Sequence, residues 1–129
     1  MSAVKNSFVF VNLIDTDQLF GHRLDPEGYA KSLEEFDRAL PAILSKLNNE
    51  DVLVITGDHG NDPCSNSTDH SREFVPLLVY PKGKTLHLTD NPSDGTTSLG
   101  IRETFADVAV SVADFFEIKS TFPGKSFLK

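Results

Sequence analysis

Cysteine, clustered positive charge and long apolar runs are what this sequence has least of. Its single cysteine, Cys64, excludes an internal disulfide, and a reducing cytoplasm is the simplest setting. A net charge of −7 without any basic run argues against nucleic acid or an anionic membrane as the main partner. The longest apolar run, residues 8–13, is interrupted by Asn12 and is far shorter than the roughly 20 residues of a membrane span. We therefore expect a soluble cytoplasmic protein with no nucleic-acid and no membrane partner.

The rest of the composition is that of an ordinary globular domain. A chain of 129 residues with 39% hydrophobic and 24% charged residues is long enough to bury a core, and we expect residues 1–129 to form a single domain. Short, β-branched and mostly apolar segments are typical of strands covered on both faces of a sheet. They predict strands at residues 7–14, 51–56 and 75–80.

Two further segments carry the apolar spacing of amphipathic helices. The first, about residues 26–48, begins at Pro26 behind the capping residue Asp25, and Pro41 marks a potential kink. The second covers about residues 102–116, and the polar residues 82–98 are predicted to be weakly structured. The strand–helix–strand order predicts an α/β fold with a mainly parallel sheet flanked by helices.

Carboxylates and imidazoles, the ligand types of catalytic divalent cations, cluster in two short stretches. One stretch follows the first predicted strand and the other follows the second, so both lie at the carboxyl ends of strands, where parallel α/β sheets gather ligands. We interpret the cluster as a metal site. The candidate ligands are Asp17, His22, Asp58, His59 and His70.

Several residues near these stretches have open or simpler interpretations. Asp15 shares a strand face with Asp17, so periodicity leaves either one as the ligand. Asp62 and Asp69 could orient the imidazoles, although capping and turn roles fit them at least as well. His87 is predicted to be an ordinary strand or loop histidine.

Three motifs carry a resemblance to a known family. They read Val-Asn-Leu-Ile-Asp-Thr-Asp-Gln-Leu-Phe-Gly-His-Arg at 11–23, Gly-Asp-His-Gly-Asn-Asp-Pro at 57–63 and Thr-Asp-His-Ser-Arg-Glu at 68–73. They are similar to the C-terminal part of phosphopentomutases, which belong to the alkaline phosphatase superfamily of metalloenzymes. The Gly-His-Arg and Thr-Asp-His-x-Arg-Glu signatures separate this family from the related cofactor-independent phosphoglycerate mutases. The resemblance extends to the ranges 28–40, 99–107 and 124–128.

The resemblance implies an activity and a ligand assignment. The activity is interconversion of ribose 1-phosphate and ribose 5-phosphate, and of the deoxyribose analogues, through a phosphorylated threonine at a site with two cations of the Mn²⁺ type. The family's ligand aspartate stands five residues before the Gly-His histidine, which favours Asp17 over Asp15. One cation would then be held by Asp17, His22 and His70, and the other by Asp58 and His59.

The sequence also departs from the family. Thr16, Leu24, Gly57 and residues 64–67 differ from the family's usual residues without removing a ligand. Family members are considerably longer: they begin with a strand that carries another ligand aspartate, continue with the nucleophilic threonine, and contain an inserted cap domain. None of these matches a segment here. We therefore expect no catalytic nucleophile in this chain and no turnover from the chain alone.

Two alternatives stay open beside that expectation. One is a reduced phosphohydrolase in which a metal-bound water replaces the threonine. The other is a non-catalytic metal-binding or interaction module. In either case an unpaired sheet edge would favour self-association or pairing with an N-terminal half.

Overall fold

The computed structural model describes residues 6–83 and 98–128. The chain divides into two compact units, Phe8–Gly83 and a second one made of Met1–Ser7 with Lys84–Lys129. The first unit contains helix α1 (Pro26–Lys46) and strands β1 (Val52–Thr56) and β2 (Leu77–Pro81), and the second contains helix α2 (Ala106–Phe115). Most of the polar stretch 82–98, with His87, lies outside the described residues.

Helix α1 confirms the prediction of a long helix that starts at Pro26. The Asp25 side chain accepts a hydrogen bond from the Gly28 backbone N–H at 2.9 Å, so the predicted cap is formed. The helix continues through Pro41 and ends at Lys46, two residues before the predicted end. Ser32 of this helix lies next to Thr16, and the hydroxyl oxygens of the two residues are 3.0 Å apart. This contact fixes the segment that leads into the site against the helix.

The two strands pair in the antiparallel direction, which corrects the expected parallel arrangement for this pair. Leu53 lies opposite Tyr80 and Val54 opposite Val79. Parallel neighbours need a crossover of a dozen or more residues, usually a helix, but residues 57–76 form an irregular loop instead. That loop folds back on itself through an isolated bridge between Gly60 and Ser71, so the chain returns alongside β1 in the opposite direction.

The predicted strand at residues 7–14 is not formed in this structure. A strand is defined by hydrogen bonds to a neighbour, and within the described ranges 6–83 and 98–128 no segment pairs with these residues. The rings of Phe8 and Phe10 are 6.4 Å apart and both side chains are exposed, with Phe10 at 78%. The apolar pattern of a buried strand is therefore present, but its side chains are exposed.

The second unit is built around two buried polar side chains on α2. Asp107 is 4% exposed and Ser111 is fully buried. The Ser111 hydroxyl donates to the Asp107 carbonyl and accepts the Phe127 backbone N–H at 2.9 Å, which places the Phe127 ring in the interior at 4% exposure. Helix α2 begins four residues later than predicted, and in the turn before it the Thr104 hydroxyl accepts a hydrogen bond from the Ala106 N–H at 3.2 Å.

Neither α1 nor α2, the α-helices of the described residues, combines the length and the apolar composition that crossing a bilayer demands.

Candidate metal centre

Two segments of the first unit supply the candidate ligands. Asp17 lies in a single π-helical turn, Thr16–Phe20, and His22 in the 3₁₀ turn Gly21–Arg23 that follows it directly. Leu24 then takes a left-handed conformation, with φ of 55°, which ends the turn before α1. π-Helical turns are rare and occur frequently at functional sites. Here the wide π turn followed by the 3₁₀ turn places Asp17 and His22 on the same side of the chain.

The loop between β1 and β2 supplies the other candidates. Its bridge at Gly60 and Ser71 holds the two arms of the loop together, with the Ser71 N–H donating to the Gly60 carbonyl at 3.0 Å. A Cβ atom at Gly60 would lie 2.7 Å from the Ser71 carbonyl oxygen and 2.8 Å from the Glu73 nitrogen. Glycine is therefore required at this close approach. The bridge brings His59 on one arm next to His70 on the other.

Asp17 is the centre of the cluster. Its Oδ2 lies 3.3 Å from Nε2 of His22, and its Oδ1 lies 3.6 Å from Nε2 of His70. Two atoms that are each about 2.1 Å from a cation lie roughly 3.0–3.4 Å apart when the angle at the metal is near 90–110°. The observed separations are close to that range. The Asp17 carboxylate and these two imidazoles can thus reach a common cation with small movements.

The hydrogen bond made by Nδ1 of His22 shows that this nitrogen carries a proton. Nδ1 makes a short contact with the Thr68 carbonyl oxygen, and because a carbonyl can only accept, Nδ1 carries the proton. This leaves Nε2 as the ring nitrogen that faces Oδ2 of Asp17, at 3.3 Å. Either a proton on Nε2 or a metal cation between the two atoms makes this contact favourable. Metal-ligating histidines are typically fixed by this kind of backbone hydrogen bond.

Asp58 and His59 form the second part of the cluster. The His59 Nδ1–H donates to the Gly60 carbonyl at 3.2 Å, which again leaves Nε2 available, and that atom is 3.6 Å from Oδ1 of Asp58. The His59 ring stacks on the His70 ring, with centroids 3.6 Å apart and planes 18° from parallel. The Asp58 side chain is 72% exposed, so it lies at the solvent side of the cluster.

Four of the five predicted ligands therefore come together directly, and Asp58 joins them through His59. One ligand atom each from Asp17, His59 and His70 lies within 4.8 Å of the other two. This grouping crosses the division that the family resemblance implies, in which His59 belongs to a different cation from Asp17 and His70. The stacked His59 and His70 rings place the two implied half-sites side by side.

The alternatives around the site are resolved in part. Asp15 occupies the N-terminal end of the π-helical turn, and it is Asp17 that contacts the imidazoles. Asp62 accepts the Cys64 backbone N–H at 2.9 Å, which is the turn role that its sequence position allows. The Cys64 thiol is exposed.

Two contacts were not anticipated from the sequence. The Asn61 side chain donates to Oδ1 of Asp17 at 2.6 Å, and the Thr68 carbonyl receives His22. Every residue has a backbone carbonyl, so the sequence could not indicate the Thr68 contact. Asn61 directly follows Asp58-His59-Gly60, and this position next to candidate ligands was the only sequence signal for its contact.

The negative charge of Asp17 also affects the pKa of a residue in α1, Tyr29. Burial, and then the negative charges of Asp17 and Glu73, raise the pKa of the Tyr29 hydroxyl above its ordinary value. The phenol is therefore kept neutral. The same negative charges would stabilise a cation placed among the imidazoles.

Comparison with known proteins places this chain in a defined superfamily. The family model of the metalloenzyme superfamily matches residues 1–120. The chain belongs to that superfamily, and membership implies the use of divalent metal ions. The candidate ligands all lie within the matched residues.

The similar proteins with curated names narrow the class further. The chain is 51% identical to a phosphopentomutase of Dictyoglomus thermophilum over 126 residues, or 97% of this chain and 30% of that protein. It is 52% identical to a phosphopentomutase of Anaeromyxobacter sp. strain K over 128 residues, or 99% of this chain and 30% of that protein. The chain thus spans about 30% of the length of the curated relatives it matches.

Proposed function

We propose that this chain is the metal-binding portion of a phosphopentomutase-type catalytic core that interconverts ribose 1-phosphate and ribose 5-phosphate, and the deoxyribose analogues. Support comes from its membership of the metalloenzyme superfamily and from identities near 50% to two phosphopentomutases over nearly the whole chain. The observation that carries the proposal is the Asp17 carboxylate between the Nε2 atoms of His22 and His70, at separations suited to a shared cation.

The ligand assignment follows the family's division. Asp17, His22 and His70 hold one cation, and Asp58 and His59 hold the other, with Mn²⁺ as the metal. The fixed Nδ1 protons of His22 and His59 support the assignment, because both rings keep Nε2 free to bind metal. The neighbouring positions of the two half-sites support cations close enough to act on a single phosphate.

The chemistry divides between the metals and the protein. When bound, the cations supply positive charge that neutralises the transferring phosphoryl group. The residues of this chain hold and orient that charge. The Thr68 carbonyl fixes the His22 ring, the Gly60 carbonyl fixes the His59 ring, and the stack of His59 on His70 sets the spacing of the two half-sites.

We propose further that residues 1–129 act as one part of a larger core, in the cytoplasm, and do not turn over substrate alone. The exposed apolar side chains at residues 8–14 support this, since they have the pattern of a strand covered on both faces. In the assembled core they would join a mainly parallel sheet with segments from an N-terminal half. In the isolated chain the same surface favours self-association.

Transplantation into a relative tests the proposal most sharply. This chain would replace the matching region of the Dictyoglomus thermophilum phosphopentomutase, and the hybrid would be assayed for ribose 1-phosphate conversion with Mn²⁺. We expect mutase activity that is lost in His59→Ala and kept in Asn66→Ala, a control in an exposed part of the same loop.

Two results would contradict the proposal. A folded hybrid without mutase activity would overturn the assignment of this chain to such a core. A folded hybrid that only hydrolyses phosphomonoesters, through His59, would instead identify the chain with a metal-dependent phosphohydrolase.

A further inference from the structure

Asn61 contacts a candidate ligand without being one itself. Its side-chain nitrogen Nδ2 lies 2.6 Å from Oδ1 of Asp17, across 44 residues of sequence. A carboxylate can only accept hydrogen bonds, so the amide must turn its NH₂ group toward Asp17. The bond to a charged acceptor is stronger than one between neutral groups.

This hydrogen bond fixes the rotation of the Asp17 carboxylate. Oδ1 receives Asn61 and lies on the His70 side, while Oδ2 faces Nε2 of His22 at 3.3 Å. Without the amide, the carboxylate would be free to turn about its last torsion, which is broad for aspartate. With it, each oxygen stays directed at a different imidazole.

The backbone at Gly21 is shaped to admit Asn61. Gly21 is buried, with φ of −59° and ψ of −61°, a helical conformation that any residue adopts. Its conformation therefore does not require glycine. A Cβ atom at this position, however, would lie 2.7 Å from Cγ of Asn61, well inside van der Waals contact. The missing side chain is what lets the amide reach Asp17.

Asn61 also joins the two ligand segments. It follows Gly60, whose carbonyl receives both the Ser71 N–H and the His59 ring. The loop that carries His59 and His70 is thus tied through one amide to the turn that carries Asp17. Movement of either segment would change the geometry of both half-sites.

We propose that Asn61 is a positioning residue, which holds the Asp17 carboxylate in the orientation that binds a divalent cation, and that Gly21 serves to admit it. The inference rests on the proposed metal-dependent function. Outer groups that orient metal ligands typically change metal affinity by about 10- to 100-fold when removed. We expect a loss of that size here.

Calorimetric titration of the 129-residue chain with Mn²⁺ tests the proposal. We expect Asn61→Ala to weaken cation binding about 10- to 100-fold. Asn66→Ala, an asparagine in an exposed part of the same loop, is the matched control and should bind as the wild type does. Thermal unfolding without metal checks that each variant folds.

A second variant separates the hydrogen bond from simple packing. Gly21→Ala should weaken Mn²⁺ binding because the new methyl group displaces Asn61. In the double variant Gly21→Ala/Asn61→Ala, the methyl group has room, but the donor is still missing. We expect the double variant to bind no worse than Asn61→Ala alone, a clear departure from additivity.

The possible results distinguish this inference from the proposed function. Wild-type binding with an Asn61→Ala affinity equal to that of Asn66→Ala would overturn the positioning role and leave the metal site standing. Full additivity of the two substitutions would overturn the role of Gly21. A wild-type chain that binds no Mn²⁺ would overturn the metal site, and the positioning role with it.

Discussion

Asp107 and Asp17 are aspartates of the same chain with opposite surroundings. Asp107 is 4% exposed, and hydrogen-bond donors meet both of its oxygens: Nε of Arg102 at 2.7 Å and the Lys125 backbone N–H at 2.8 Å. Asp17 is 27% exposed in its side chain and has one amide donor, together with two imidazole nitrogens whose protonation is variable. The first carboxylate has a donor on each oxygen within the protein, whereas we propose that the second also binds a cation.

The comparison gives a criterion for reading carboxylates in a structure. A buried carboxylate surrounded by donors belongs to the fold, since its charge is already compensated. A partly exposed carboxylate beside imidazoles that can bind metal is a candidate ligand. The two aspartates should therefore differ in their response to removal and to metal.

Removal of the Asp107 carboxylate should have the largest effect on stability. Asp107→Ala leaves the Arg102 guanidinium and the Lys125 N–H without their acceptor, and breaking a buried pair in this way costs about 3–5 kcal/mol. Chemical denaturation of the second unit would measure it. Glu103→Ala, at an exposed position nearby, is the control and should change the free energy of unfolding by less than about 0.5 kcal/mol. Equal effects of both substitutions would contradict this account of Asp107.

Acid should also reveal the structural role of Asp107, with a smaller effect on stability. Burial alone raises the pKa of Asp107, but the hydrogen bonds from the Lys125 backbone and Arg102 outweigh it, so the net pKa lies below its ordinary value of 3.8. The carboxylate therefore stabilises the fold above pH 3.8, and that contribution is lost as the pH falls through the lowered pKa. In Asp107→Asn the decline of stability below this pH should be shallower than in the wild type. Unfolding curves between neutral pH and pH 2.5 would measure the difference, and parallel curves would contradict it.

Asp17 should show the smallest effect on stability and a large one on metal binding. In the metal-free chain Asp17→Ala removes the acceptor of the Asn61 amide, but the site is partly exposed and water can replace it, so we expect a change in the free energy of unfolding of only about 1 kcal/mol. Mn²⁺ raises the melting temperature of the wild type in this account, because a ligand that binds only the folded state stabilises it. That increase should disappear in Asp17→Ala. A strongly destabilised metal-free variant would place Asp17 with Asp107 as a residue of the fold.

Local patterns in the sequence were sufficient to locate α1, whereas α2 starts four residues after its predicted beginning and the turns at Thr16–Phe20 and Gly21–Arg23 were not predicted. The Asp25-Pro26 start and the spacing of apolar residues located α1, because both signals depend on neighbours within one or two turns. Strand pairing depends on partners far along the chain. Residues 51–56 and 75–80 were correctly predicted to contain strands, but their antiparallel direction depended on the fold of the 57–76 loop, and residues 7–14 have no partner among the described residues.

In the site, too, the sequence indicates the residue types but not their arrangement in space. The ligand types and their two stretches could be read from the sequence, and Asp17, His22, His59 and His70 do meet. The stack of His59 on His70 and the Asn61 bond to Asp17 depend on how the Gly60–Ser71 bridge closes the loop. No local pattern carries that information.

The most direct test of the central claim is calorimetric titration of the metal-free chain with Mn²⁺, with His22→Ala and His59→Ala measured alongside. The claim is that this chain by itself assembles a cation site around Asp17. We predict wild-type binding of at least one cation, weakened in His22→Ala, while His59→Ala reports whether that ring shares this cation or holds a second one. A wild-type chain that binds no cation, or binding that is unchanged in both variants, would contradict the claim.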